Sequence, residues 1–275
     1  RSIRCGRNFE YYSEDPLVSG KMAAAMTRGV QAHKGCGTTI KHYAANNKEY
    51  NRTRNNSMVS ERAMREIYLK GFGICVRESQ PKAVMTSYNL LNGTHTAESR
   101  GLVMDILRAE FGYQGIVMTD WVTPMTGDAR SAHRDSQAQY VAAAGGDLFM
   151  PGNKGDYDNL LQGIDSGAVT LEQVKINASR VVKMARALTQ VMSLMGGNGK
   201  PKAGCEIKTQ YCTAIPIGTA LAQSFDTDFV QRCGDIVGEE MEHFGVHLWL
   251  APALNIHRSI RCGRNFEYYS EDPLV

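Results

Sequence analysis

Apolar positions along the chain keep two alternating rhythms. Short runs that are apolar on successive residues occur at Thr38 to Ala45 (TTIKHYAA), Ala83 to Asn89 (AVMTSYN), Gly115 to Trp121 (GIVMTDW), Asp147 to Met150 (DLFM) and Val246 to Ala251 (VHLWLA). Such runs predict strands buried on both faces, as in a parallel sheet. Between them the apolar residues recur at helical spacing, predicting helices over Asp15 to His33, Ser60 to Glu78, Ser99 to Phe111, Gln137 to Ala144, Asn159 to Asp165, Leu171 to Met195 and Asp226 to Phe244. Pro16 suits a first helical turn, with Met22, Ala25 and Met26 inward, and Ser60 suits a cap. The long helix turns Leu171, Val174, Ala178, Val181, Val182 and Ala185 to one side, and the last helix carries a seam of Val230, Ile236 and Val237. Strand alternating with helix predicts an α/β fold with a mostly parallel sheet, open or closed as a barrel.

The two ends change the picture. Residues 1–18 and 258–275 are identical, RSIRCGRNFEYYSEDPLV. A truncated tandem duplication, a circular order read past its start, and a deliberate fusion all fit. In each case two copies compete for one structural position, and a copy that docks in a neighbouring chain makes a swapped homo-oligomer. Gly196 to Lys202, GGNGKPK, reads as a linker. The chain therefore divides into 1–195, a linker over 196–210, and 211–275, which ends in the repeat.

Composition excludes several classes. A net charge of +3 with no basic run argues against nucleic acid. No apolar stretch reaches the roughly 18–20 residues of a bilayer span. Seven scattered cysteines without C-x-x-C spacing predict neither a disulfide framework nor a zinc site, and reduced thiols point to the cytoplasm. Cys205 and Cys212 could pair, but the reduced state is favoured.

Polar residues collect where strands end. Lys41 and His42 close one strand, Tyr88 and Asn89 another, and Asp120 with Trp121 a third, while Asn255, His257 and Arg258 follow a fourth. In parallel α/β folds that edge holds the ligand. Cations, imidazoles and a carboxylate on one rim suit a polyhydroxylated ligand, and an aspartate there can act as a nucleophile. Taken singly, Asp120 suits a cap, His42 a core histidine, Lys41 a surface lysine, Tyr88 a core tyrosine and Arg7 a scaffold partner of Glu10, Glu14 or Asp15. Their common placement favours a site.

GRNFEYYSEDPLVSGK (6–21), IKHYAANNKE (40–49), MTSYNLLNG (85–93), VMTDW (117–121) and APALNIHR (251–258) resemble the motifs of family 3 glycoside hydrolases of the β-glucosidase and β-xylosidase type. The resemblance covers about residues 1–190 and 211–275. It implies a (β/α)8-type barrel and retaining hydrolysis of a β-glucoside or β-xyloside without cofactor or metal. It implies Asp120 as nucleophile, with Arg7 or its copy Arg264, Lys41, His42, Arg52, Met85, Tyr88 and Trp121 around the sugar. Relative to the family the order is rotated, since the segment like 211–257 ordinarily precedes GRNFE. The family's D-G-P-x-G-x-R loop is not found, so the barrel is expected to be incomplete or circularly permuted. The family's barrel-loop acid/base pattern, K-H-F-P-G-H-G-D, is replaced by KHYAANNKE, and Glu49 in that stretch reads as scaffold. A catalyst short of its proton donor is one expectation, and a non-catalytic sugar-binding module or inactive fragment is the other.

Overall fold

The computed structural model describes residues 11–47, 55–121, 136–194 and 212–256, without the side chains of 189–194. The first helix, α1 (Pro16–Ala32), begins where the sequence places it. Asp15 accepts hydrogen bonds from the Leu17 and Val18 amides (2.5 and 3.1 Å), and Pro16 occupies the first turn. Strand β1 (Gly37–Tyr43) follows, then a short β2 (Asn56–Ser57). Helix α2 has three pieces, Glu61–Ala63, a π turn Met64–Tyr68, and Lys70–Ser79, with Ser60 capping the first. Strand β3 (Ala83–Thr86) leads into a hairpin of β4 (Leu90–Leu91) and β5 (Thr94–His95). Its two turn residues, Asn92 and Gly93, both have positive φ (48° and 88°), as a tight hairpin demands. Helix α3 (Gly101–Glu110) then feeds β6 (Ile116–Met118). Helices α4 (Ala138–Ala143), α5 (Lys154–Asp165) and α6 (Leu171–Leu194) follow. In the described segment 212–256 come α7 (Gly218–Ala222), α8 (Thr227–Phe244) and β7 (Leu248–Trp249), while the expected linker over 196–210 lies outside the described residues.

The main sheet is parallel, in the order β6-β3-β1-β7. Isolated parallel bridges extend it, Leu148 beside Met118 at one edge and Ala253 beside both Lys41 and Tyr11 at the other. The last of the described strands thus lies next to the first. Among the described residues the sheet is open. Of the first repeat copy, Tyr11 bridges to Ala253 at its edge, Tyr12 and Ser13 are buried, and Pro16 to Val18 open α1; residues 1–10 and the second copy lie outside the described residues.

Both faces of the sheet are covered, which is why its strands read as unbroken apolar runs. On one side Ile40, Val84 and Val117 join a core with α1, α2, α3 and α8. On the other, Ala83, Met85, Ile116 and Met118 pack with Val181 and Met184 of α6 and with Leu248 and Leu250. Helices α1 and α8 touch backbone to backbone. A Cβ on Gly29 would lie 2.2 Å from the Gln231 carbonyl oxygen, and one on Gly234 would lie 2.4 Å from that of Met26. Only glycine permits this approach.

Several expected elements differ. Residues 147–150 form one bridge rather than a strand, and the strand expected over 246–251 is two residues long. Helix α5 starts at Lys154 rather than Asn159, because Asn153 and Asp156 make a reciprocal capping box. Ile236 is exposed; the buried seam of α8 is Val230, Cys233, Gly234, Gly238 and Met241. On α6 the inward residues are Asn177, Val181, Met184 and Leu188, while Leu171 and Val182 face out. Cys36, Cys75, Cys212 and Cys233 are free thiols. Among the described residues no helix is long and apolar enough to cross a membrane.

Candidate functional site

The carboxyl ends of the parallel strands share one edge, and three of the expected polar residues meet there. Asp120 follows β6 by two residues and is 7% exposed; its Oδ1 accepts from the Trp121 amide at 2.7 Å. Its Oδ2 lies 3.7 Å from Nε2 of His42, a residue of β1 that is 1% exposed. At the end of β3, the Tyr88 hydroxyl donates to the Trp121 carbonyl at 2.5 Å. A chain of contacts therefore runs from Tyr88 through Trp121 and Asp120 to His42, joining three strand ends. Lys41 precedes His42 on β1 and is half-buried.

Local hydrogen bonds explain why these ends hold still. The Thr119 amide donates to Leu148 O (3.0 Å), and the Thr119 hydroxyl accepts from the Met150 amide (2.8 Å), so residues 148–150 brace the residue before Asp120. Asn89 Nδ2 donates to the Ala44 and Leu90 carbonyls, tying the end of β3 to the loop after β1. The Tyr11 ring stands edge-on to His42 at 6.5 Å, and its hydroxyl donates to Asn46 O at 2.8 Å.

Not every expected residue is at the rim. Met85 is 2% exposed in the apolar cluster with Ile116 and Met118. Trp121 is 37% exposed. Arg7, Arg52, Arg264, Glu49, His257 and Arg258 lie outside the described residues. Among the described residues no group of three or more His, Cys, Asp or Glu side chains could hold a metal.

One supporting group escaped the sequence reading. Asp147 has a fully buried side chain whose Oδ2 accepts from Arg108 Nη2 (2.6 Å) and the Val117 amide (2.7 Å), while Oδ1 accepts from Arg180 Nη1 (3.1 Å). It pins β6 three residues before Asp120. Burial pushes the Asp147 carboxyl up, against the pull of Arg108 and Arg180, and pushes Arg108 down against the pull of Asp147. Removal from water thus outweighs attraction on both partners.

A buried carboxylate thus stands beside an imidazole at the carboxyl edge of a parallel sheet, and comparison with known proteins assigns the chain to a family. The family model described as glycosyl hydrolase family 3 N terminal domain matches residues 1–184 and 202–275. The chain belongs to glycosyl hydrolase family 3. Beta-glucosidase B of Emericella nidulans is 45% identical over 186 residues, which are 66% of this chain and 20% of that protein. An exo-alpha-(1->6)-L-arabinopyranosidase of Bifidobacterium breve is 39% identical over 189 residues, 69% of this chain and 23% of that protein. Among solved structures, beta-glucosidase 3B from Thermotoga neapolitana in complex with glucose superposes with a TM-score of 0.63 and 37% identity, covering 74% of this chain and 28% of that one. The family 3 chain thus spans about a fifth of the length of the curated relatives it matches.

Proposed function

We propose that this chain carries the glycone site and nucleophile of a retaining β-glucosidase-like hydrolase, with Asp120 attacking the anomeric carbon. The observation that carries the reading is the Asp120–His42 pair, buried at the ligand edge of the sheet with Lys41 and Tyr88 on the same edge. Asp120 forms a glycosyl ester as the anomeric C–O bond breaks and the aglycone departs with the glycosidic oxygen; water then hydrolyses the ester, freeing the sugar and the carboxylate. In this reading His42 and Lys41 hold sugar hydroxyls through charge-assisted hydrogen bonds. Arg7 or Arg264, Arg52, Tyr88 and Trp121 contact the same sugar, and Met85 backs the site from the core. The substrate is a β-glucoside or β-xyloside, needing no cofactor. The relative that acts as an arabinopyranosidase indicates how readily the glycone changes on a similar framework.

The rotated order is part of the proposal. It is supported by the placement of β7, late in the chain, beside β1, and by a family match in two segments, 1–184 and 202–275. A circularly permuted, incomplete barrel accounts for both. The surplus repeat copy gives such a chain a means of exchanging segments with a second molecule. A reducing compartment such as the cytoplasm suits its free thiols.

Retaining hydrolysis also needs an acid/base carboxyl about 5–5.5 Å from the nucleophile, and KHYAANNKE in this sequence does not carry the barrel-loop version of it. General acid assistance contributes roughly 10²–10⁴-fold. The 275 residues therefore cleave aryl β-glucosides with good leaving groups far faster than alkyl ones. Steady-state kinetics on a leaving-group series tests this: a flat dependence, or efficient cleavage of cellobiose, contradicts it. Asp120→Asn abolishes the aryl activity, and unchanged turnover removes Asp120 from the role.

A further inference from the structure

Strand β1 leaves its ladder just where it reaches the site. Thr39 pairs with Ala83 and Ile40 with Val84, but the next pair is Tyr43 with Thr86. Two residues, Lys41 and His42, thus stand opposite Met85 alone, the geometry of a bulge. Lys41 recovers its main-chain bonds from the C-terminal segment: its amide donates to Pro252 O (3.1 Å), and its carbonyl accepts from the Leu254 amide (2.7 Å). The His42 main chain is served differently. Its amide donates to Asn255 Oδ1 at 2.7 Å, and its carbonyl accepts from Asn255 Nδ2 at 2.7 Å.

We propose that Asn255 is a positioning residue for His42, and that the C-terminal segment thereby completes the site built by β1 and β6. The proposal rests on reading the rim as a glycoside site, though its geometry is independent of the sugar. A carboxamide carries one acceptor and one donor side by side, which is the complement of a peptide's own N–H and C=O. The polarity of the His42 peptide fixes which way the amide points. Asn255 and His42 are 3% and 1% exposed, so bulk water does not readily substitute. One residue on, Asn47 Nδ2 donates to Ile256 O at 2.5 Å and locks the same segment from the other side. The imidazole 3.7 Å from Asp120 is thus held through a residue 213 positions away in the chain. An aspartate at 255 would accept from the amide but place a second oxygen against the His42 carbonyl. A serine is too short to reach both.

The test is a double-mutant cycle read at His42. Its imidazole titration is followed by NMR in the 275-residue chain and in Asn255→Asp and Asn255→Ser, each with and without Asp120→Asn. In the parent, Asp120→Asn lowers the His42 pKa, because it removes a neighbouring anion. In both Asn255 variants that shift falls to less than half, while unfolding stays cooperative. Labelling by dinitrophenyl 2-deoxy-2-fluoro-β-glucoside slows at least ten-fold in the same variants. An undiminished shift in both overturns the proposal, even if labelling proceeds and the glycosidase reading stands. A shift diminished in the variants, together with a parent that takes no label, overturns the glycosidase reading and upholds the positioning role. Should both variants fail to fold, hydrogen exchange in the parent decides: the His42 amide exchanges only on global unfolding, and fast local exchange overturns the proposal.

Discussion

The sharpest energetic prediction concerns Asp147→Ala. The Asp147 carboxylate has no exposed surface and accepts three hydrogen bonds, from Arg108 (2.6 Å), the Val117 amide (2.7 Å) and Arg180 (3.1 Å). Truncation leaves the Arg108 guanidinium without its anion, keeping only its hydrogen bonds to the Gly115 and Gly145 carbonyls; its side chain is only 8% exposed and its Nε already lacks an acceptor among the described residues. Removing one partner of a buried ion pair costs about 3–5 kcal/mol. Against a typical domain stability of about 5–15 kcal/mol, that is a large fraction. Urea unfolding followed by the fluorescence of Trp121 and Trp249 should show such a loss, with an unchanged slope. Burial pushes Asp147 up and Arg108 down, so loss of hydration opposes the attraction within the intact group. Adding Arg108→Met to Asp147→Ala should therefore recover part of the loss rather than deepen it. A single-mutant cost under about 1 kcal/mol, or an additive double mutant, refutes this account of the anchor behind Asp120.

Two further outcomes follow from the packing of α1 on α8. His33 Nε2 lies 2.9 Å from Asp235, and its Nδ1 lies 3.3 Å from Glu242. Burial alone would lower its pKa, but hydrogen bonds to the two carboxylates and their charges raise it on balance. The native state then holds the proton more tightly, so the gain is complete below the unfolded value of about 6.5 and disappears as pH rises through the higher folded value. The stability gap between the parent and His33→Gln should narrow on raising the pH from about 5.5 to about 8.5, and a gap that widens contradicts the clasp. Gly29→Ala gains helix propensity of about 1 kcal/mol but drives a methyl into the Gln231 carbonyl. A net loss of about 1–3 kcal/mol in thermal unfolding is expected, and a stabilised variant would mean that α1 and α8 can separate at little cost.

Local signals were legible because they act within a few residues. Asp15, Ser60 and Asp226 cap the helices whose starts they mark, and burial on both faces makes Ile116–Met118 of GIVMTDW a strand. The strand-end rule then brought Asp120 and His42 together from 78 residues apart, with no contact known in advance. Reading apolar letters as a face failed on α6. Asn177 is buried there because its Nδ2 donates to Ala142 O, whereas Leu171 and Val182 are exposed. Polar groups that work through distant partners left no periodic trace. The Asn255 amide matters only once residue 42 is beside it, and DLFM reads as a strand until Arg108 and Arg180 are seen converging on its aspartate.

The central claim is that Asp120 is the nucleophile of a sugar site shared with His42, Lys41 and Tyr88. Peptide mapping by mass spectrometry after incubation with dinitrophenyl 2-deoxy-2-fluoro-β-glucoside tests it most directly. The account predicts a single fluoroglucosyl ester on the peptide containing Asp120, prevented by excess glucose and absent from Asp120→Asn. An unmodified chain, or an adduct on any other residue, contradicts it.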